Sequence, residues 1–350
     1  MDWSELAQSC GCIDIACLSP EDVSTEALRK RLTEWQGEGN AGALSYVDER
    51  SDILTQPFMA RPWAKAALVI SFEPVPDPEC MLRKLPEAEP GKVAAVIAPY
   101  AMNEDYHQTG KRRLQAVVEK LESIYGHAEF ECCIDTRPVM EKQFARIGGL
   151  GEQGINSLIR NETHGAQIHL GVVFTSLLLP TRLIRHHVNP PCCECHRCIR
   201  VCPNSVYSDG RFEIRHCRAW LASEYRQALD TVQQRLLGDT LFGCGRCSLA
   251  CPATVSPKSK AYRVDPLALL RMPSAQLRSL IKGTILEYTG VTVLKRNAAA
   301  VLANATPETE WKSLREELLN CTNSPVVRET LMHGRGQTNG MGGKDETMSK

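Results

Sequence analysis

The chain is predicted to be a mixed α/β protein in three parts, and three observations carry that reading. Short apolar, β-rich runs alternate with amphipathic helical spacing up to residue 178. A cysteine-dense stretch follows, opened by Pro190-Pro191 and running to residue 261. Beyond it the periodicity is helical only. The parts are therefore an α/β (α+β) sandwich over residues 1–178, a cysteine-bearing domain over 179–261 and a helical, repeat-like segment over 262–333. From Gly334 the chain turns Gly-, Thr- and Lys-rich, and residues 334–350 are expected to be a disordered tail.

Each element has its own signal. Glu26 to Gln36 has helical spacing, and Ala66 to Phe72 is a short apolar run that reads as a buried strand. Pro74 to Pro90 is proline-rich and acidic, hence a loop, and Val93 to Ile97 is a further strand candidate. Between Gly110 and Tyr125 the apolar residues Leu114, Val117, Val118 and Leu121 keep to one helical face. Glu129 to Asp135 reads as a strand ending at an acid. Pro138 to Ile147 reads as a helix, broken by Gly148-Gly149-Leu150-Gly151. Ile168 to Leu179 is a long β-rich run. Leu294 to Ala305, Thr309 to Leu319 and Ser324 to His333 read as three helices separated by turns.

Eight of the sixteen cysteines form a double pattern. Cys192-x2-Cys195-x2-Cys198-x3-Cys202-Pro203 is the bacterial ferredoxin run for [4Fe–4S] clusters, whose fourth cysteine ligates the other cluster. Cys244-x2-Cys247-x3-Cys251-Pro252 is its partner, and Cys217 lies between the two. Cluster one is thus assigned to Cys192, Cys195, Cys198 and Cys251, and cluster two to Cys202, Cys217, Cys244 and Cys247. A zinc ribbon competes, but it uses four cysteines with no third one in phase. Cys192-x2-Cys195-His196 also spells a haem attachment motif, although the run continues in ferredoxin spacing. Cys193 is one residue out of phase and reads as a spectator.

Net charge is zero, so no global field demands a polyanion. A local stretch nonetheless holds Arg182, Arg185, Arg197, Arg200, Arg211, Arg215 and Arg218 without a lysine. It could grip phosphates, with Arg215 and Arg218 reaching an RNA loop, or it could only offset the charge of thiolate-ligated clusters. The first residues carry acids and lack the basic start of a secretory signal. No apolar run approaches the ~18 residues of a membrane span. A cytoplasmic setting without a membrane is expected, since clusters and thiols persist there.

Gly149-Leu150-Gly151-Glu152-Gln153-Gly154 has the letters of a dinucleotide fingerprint, but it follows a predicted helix rather than a strand. Asp135, at a strand end before a helix, sits where α/β proteins place functional groups. The bland alternative is a helix N-cap.

The order of these motifs resembles the epoxyqueuosine reductase family. It runs Tyr100-Ala101-x3-Asp105-Tyr106-His107, Asp135-x2-Pro138-x2-Glu141, Gly149-x-Gly151-x2-Gly154-x-Asn156-Ser157-Leu158, Leu170-Gly171, the double cysteine runs and Arg296-Asn297-Ala298. The resemblance spans roughly residues 20 to 330. It implies a reductase that binds cobalamin in the N-terminal domain beside two [4Fe–4S] clusters. Such a reductase removes the epoxide oxygen of epoxyqueuosine in tRNA, and its helical C-terminus helps hold the tRNA. The implied cofactor-binding residues are Gly151, Gly154, Asn156, Ser157 and Leu170. The implied proton donor is Asp135, with a carboxyl pKa expected to be raised near an apolar cofactor face. An external electron donor such as a flavodoxin or ferredoxin is implied too.

Departures from the family pattern at Leu54, Gln56, Glu104, Glu152, Ile155, Val172 and Gly245-Arg246 mark a divergent branch. Two other functions compete on the sequence. One is a small-molecule reductase akin to the reductive dehalogenases, and the other is a non-catalytic ferredoxin-type carrier.

Overall fold

The computed structural model describes residues 2–184, 192–208, 211–253 and 259–333. The expected Pro190-Pro191 boundary and the expected tail lie outside them. In chain order the main elements are β1 (Asp14–Leu18), α1 (Thr25–Trp35), β2 (Ala66–Phe72), β3 (Ala95–Ile97), α2 (Tyr106–Tyr125) and β4 (Phe130–Cys133). There follow α3 (Glu141–Gly148), β5 (His169–Thr175), β6 (Thr240–Phe242), β7 (Tyr262–Val264), α4 (Leu286–Ala305), α5 (Glu308–Cys321) and α6 (Pro325–His333).

The first sheet has the order β1-β2-β5-β4, and every pairing in it is antiparallel. Every residue of β2 is buried, as its unbroken apolar run requires. Its side chains alternate between two layers. Leu68, Ile70 and Phe72 join Leu114, Val117 and Leu121 of α2 in one core. Ala67 and Val69 join Leu28 of α1 and Phe144 and Ala145 of α3 in the other. Burial of Phe72 and of Phe174 stabilises this sandwich by roughly 1.5–3 kcal/mol each. Gly110 lets α2 lie close on the sheet, because a Cβ there would stand 1.7 Å from Ile134 Cδ1. The strand β1 escaped the sequence reading. It is short, begins with Asp14 and is held by its register against β2.

A second sheet draws on distant parts of the chain. β3 pairs parallel with β6 and antiparallel with β7. It carries a core formed by Ile97, Leu241, Val264, Leu269, Leu294 and Ala298. The helix α4 packs on it, with a kink at Gly290 (φ 79°, ψ 163°). Arg296 and Asn297 are fully buried in α4. The Arg296 guanidinium donates to the carbonyls of Leu221 (2.6 Å), Tyr225 (2.5 Å) and Gln227 (2.8 Å). Asn297 donates to the carbonyls of Ala222 (2.9 Å) and Leu241 (2.8 Å). This Arg-Asn pair therefore fastens α4 to the segment after Cys217 and to β6. Burial pulls the Arg296 pKa down to about 9. The C-terminal helices close a further core around Trp311, Leu318, Val327 and Leu331.

Candidate functional site

The cysteine runs fold as short helical turns, Cys192–Cys195 and Arg197–Arg200, joined by His196 in the left-handed region (φ 49°). Cys192, Cys195, Cys198 and Cys251 line one cavity, together with Gly154, Ile155, Asn156 and Arg197. Cys202 and Cys244 both act electrostatically on the Cys247 thiol, and Cys244 and Cys247 act on Cys217. Cys198 in turn feels both Cys192 and Cys247, so the thiols of the two runs lie close together, a donor chemistry of the kind cubane clusters use. All eight cysteines are free of disulfides. Burial pushes the Cys198 and Cys217 thiols up to about 11. The Ile155 amide donates to Cys192 Sγ at 3.3 Å, the kind of bond that tunes a cluster potential. Cys193 is exposed, while Cys133 is buried beside Arg61 and Glu131.

Asp135 does not cap the helix that follows it. The N-cap of α3 is Met140, which makes no side-chain cap. Instead Asp135 is held at φ 49°, a conformation that costs a non-glycine residue energy and needs external support. The support comes from three residues. The Tyr106 hydroxyl donates to the Asp135 carboxylate. His107 Nε2 lies 3.6 Å from it, while His107 Nδ1 bonds Asp105 at 2.8 Å. The Asp135 amide donates to Glu141 Oε1 at 3.0 Å. Asp105 is also the N-cap of α2, so the helix start aims Tyr106 and His107 at Asp135.

These contacts overturn the expectation of a raised Asp135 pKa. The His107 hydrogen bond, aided by Tyr106, holds the Asp135 carboxyl below the usual carboxylate range against the effect of burial. Burial opposes the charge on His107, but its bonds to Asp105 and Asp135 push it up to about 9. A carboxyl that is partly protonated at neutral pH is next door. Burial, then the Asp135 charge, pushes Glu141 up to about 7.

Two cavities flank this group. One, of about 320 Å³, is lined by Trp35, Tyr46, Asp135, Glu141, Lys142 and Ser157, among others. The other, of about 280 Å³, is lined by Pro99, Tyr100, Leu158, Ile168, His169 and Cys247, among others. Tyr106 links the two, since its ring stacks on His107 and on His169 at centroid distances of 4.0 and 4.8 Å. Burial drives the His169 pKa down to about 4, so its imidazole is neutral.

The implied cofactor residues divide between these places. Ser157 lines the Asp135 cavity, whereas Gly154 and Asn156 line the cysteine cavity. Gly151 lies against the Arg160 backbone, where a Cβ would stand 2.4 Å from the carbonyl oxygen. Leu170 sits in β5 opposite Ser71. Sequence reasoning missed His169 and Tyr46; a histidine beside Leu170-Gly171 was the available signal for the first.

The arginine-rich stretch is occupied internally at several points. Arg215 donates to the carbonyls of Gly39 and Ala41 (2.5 Å to Ala41), and Arg218 pairs with Asp239 at 2.5 Å. Both side chains thus tie segments that are distant in sequence. Arg182 donates to the Ile15 carbonyl and Arg200 to the Cys195 carbonyl. The departures are accommodated as well. Glu104 pairs with Arg112, Val172 packs in the sandwich core and Arg246 pairs with Asp239.

Comparison with known proteins agrees with this architecture. Residues 191–254 match the family described as "4Fe-4S double cluster binding domain", so the middle of the chain is a double-cluster iron–sulfur domain. Residues 58–136 match the family described as "Epoxyqueuosine reductase QueG, DUF1730". An epoxyqueuosine reductase of Pseudomonas aeruginosa is 26% identical over 295 residues, 81% of this chain and 80% of the relative. One from Xanthomonas campestris is 27% identical over 311 residues, 85% of each chain.

Among solved structures, the epoxyqueuosine reductase from Streptococcus thermophilus superposes with a TM-score of 0.76 at 20% identity, covering 94% of this chain and 87% of that one. An epoxyqueuosine reductase solved with an epoxyqueuosine-modified tRNA-Tyr stem loop superposes with a TM-score of 0.74 at 16% identity, covering 94% and 96%. The resemblance read from motif order thus holds in sequence, in two domain families and in fold. Among the described residues no helix is long and apolar enough to cross a membrane.

Proposed function

Proceeding from this likeness to the epoxyqueuosine reductases, we propose that the chain is an oxidoreductase that converts epoxyqueuosine to queuosine in tRNA. It works in the cytoplasm with cobalamin and two [4Fe–4S] clusters, supplied with electrons by an external carrier such as a flavodoxin or ferredoxin. Residues 1–178 hold cobalamin, 179–261 hold the clusters and 262–333 support the RNA. The observation that carries the reading is the placement of Asp135, Tyr106 and His107 between two cavities, one lined by Asp135 itself and the other, reached through the Tyr106–His169 stack, lined by Cys247.

The reaction opens the epoxide, consumes two electrons and two protons, and leaves an alkene and water. Cobalamin, when bound, supplies a strongly reducing cobalt centre for the electrons. Tyr100, Pro99, Leu158, Ile168 and His169 offer the largely apolar wall that would hold it, with Cys247 on the cluster side. The remaining work belongs to the chain. His107 carries a proton at neutral pH, and Glu141 does so in part. Both touch Asp135, which faces the open cavity. Asp135 therefore relays protons to the substrate oxygen and is recharged from the His107 imidazolium beside its carboxylate, while Glu141 holds its backbone amide. Tyr106 fixes the carboxylate and closes the gap between the two cavities.

A ferredoxin-type carrier needs no such acid cluster. Expression of the chain in cells lacking their own epoxyqueuosine reductase, followed by nucleoside mass spectrometry of their tRNA, tests the reading. Queuosine is expected with the wild type and epoxyqueuosine with Asp135→Asn. Epoxyqueuosine alone with a soluble, cluster-loaded wild type overturns it.

A further inference from the structure

The rim of the Asp135 cavity has a second feature that proton delivery does not use. Tyr46 and Tyr288 are exposed, by 46% and 65% of their surfaces. Tyr46 lines the cavity itself. Its hydroxyl lies within electrostatic reach of Asp135, Glu224, Tyr288 and Glu141, so Tyr288 stands near the Tyr46 side of the cavity.

Tyr288 is also held at two points. Its hydroxyl donates to Glu224 at 2.9 Å, and the Arg226 guanidinium covers the ring 4.7 Å from its centroid. Arg226 is itself anchored on the Thr289 carbonyl at 2.6 Å. A pinned exposed ring loses little freedom when a flat partner stacks on it. Three guanidiniums, Arg31, Arg50 and Arg137, line the same cavity with Lys142, whose pKa burial lowers, against the carboxylates of Asp135 and Glu141. Arg50 and Arg137 are exposed, while Arg31 is shared with Glu34 and Glu38.

We propose that this rim is the RNA-binding surface, with Tyr288 and Tyr46 as stacking platforms for unpaired bases and Arg50 and Arg137 as contacts to the adjoining phosphates. The inference rests on the tRNA reading and gives it a location away from Arg215 and Arg218. Aromatic faces beside cations are how single-stranded and loop RNA is held, because every base has a face to stack and every linkage a charge. Glu224 acts by pinning the Tyr288 hydroxyl.

The test uses the cluster-loaded full chain and a tRNA anticodon stem–loop carrying 2-aminopurine in the loop. Wild-type protein is expected to bind it and change its fluorescence. Tyr288→Ala weakens binding roughly 5- to 100-fold, while Tyr288→Phe and Tyr288→Trp, which keep a ring, largely restore it. Arg50→Glu with Arg137→Glu flattens the slope of log affinity against log salt by about 0.7 or more per arginine. Iron content on the same samples stays at the wild-type level. Wild-type affinity and fluorescence in both Tyr288→Ala and Tyr46→Ala overturn the platform while leaving the tRNA reading intact. No binding by the wild type at low salt overturns the tRNA reading itself.

Discussion

Replacing His107 by Gln removes the one cation between Asp105 and Asp135, and its effect on stability must depend on pH. In the folded chain the His107 pKa is raised from the ordinary 6.5 to about 9. A raised pKa means that the folded state binds the proton more tightly. The resulting stability is complete below pH 6.5 and is lost as pH rises through about 9. The difference corresponds to at most about 3 kcal/mol for this side chain, which is 27% exposed.

Spread over 350 residues with an unfolding entropy of ~2 cal/mol/K each, that is roughly 4 °C in Tm. The assay is anaerobic thermal unfolding of wild type and His107→Gln at pH 6 and pH 9.5. Loss of the stack on Tyr106 lowers Tm equally at both, so the informative quantity is the change in the gap. A gap about 4 °C larger at pH 6 is expected. A gap that does not change with pH, or that widens at pH 9.5, refutes the assigned charge on His107.

Asp135→Asn should keep both clusters and lose ~10²–10⁴-fold in turnover, read by single-turnover kinetics, because the shape remains but proton delivery does not. Cys198→Ala and Cys247→Ala should each lower anaerobically reconstituted iron from about eight to about four per chain, with different paramagnetic resonance signals lost, since they belong to different quartets. Arg296→Ala should destabilise by ~3–5 kcal/mol, measured as a lower unfolding midpoint, because it strands the carbonyls of Leu221, Tyr225 and Gln227.

What the sequence disclosed followed the range of the interactions involved. β2 was legible because all seven of its residues are buried and none is polar enough to break the run. The helix α2 was legible from Leu114, Val117, Val118 and Leu121, which repeat at the helical period. The cysteines were legible because chelation needs fixed local spacing. Contacts between distant segments left no such trace. The strand β1 is defined by its pairing with distant residues, from Asp14 with Ser71 to Leu18 with Ala67, and β3 by partners in two later parts of the chain.

The charge of Asp135 could not be read either, because it depends on Tyr106 and His107 arriving from α2. The internal partners of Arg215 and Arg218 were hidden for the same reason, since Gly39 and Asp239 are far from them in sequence. Tyr46 and Tyr288 look like ordinary surface residues until folding brings them near each other.

The most direct measurement is a purified reaction. Cluster-loaded protein, cob(II)alamin, a chemical reductant and an epoxyqueuosine-containing tRNA stem–loop are combined without oxygen, and the nucleosides are read by mass spectrometry. The account predicts a product one oxygen lighter that requires cobalamin, both cysteine quartets and Asp135 together. Unchanged epoxyqueuosine in a reaction whose clusters are demonstrably reduced and whose cobalamin is bound would contradict it.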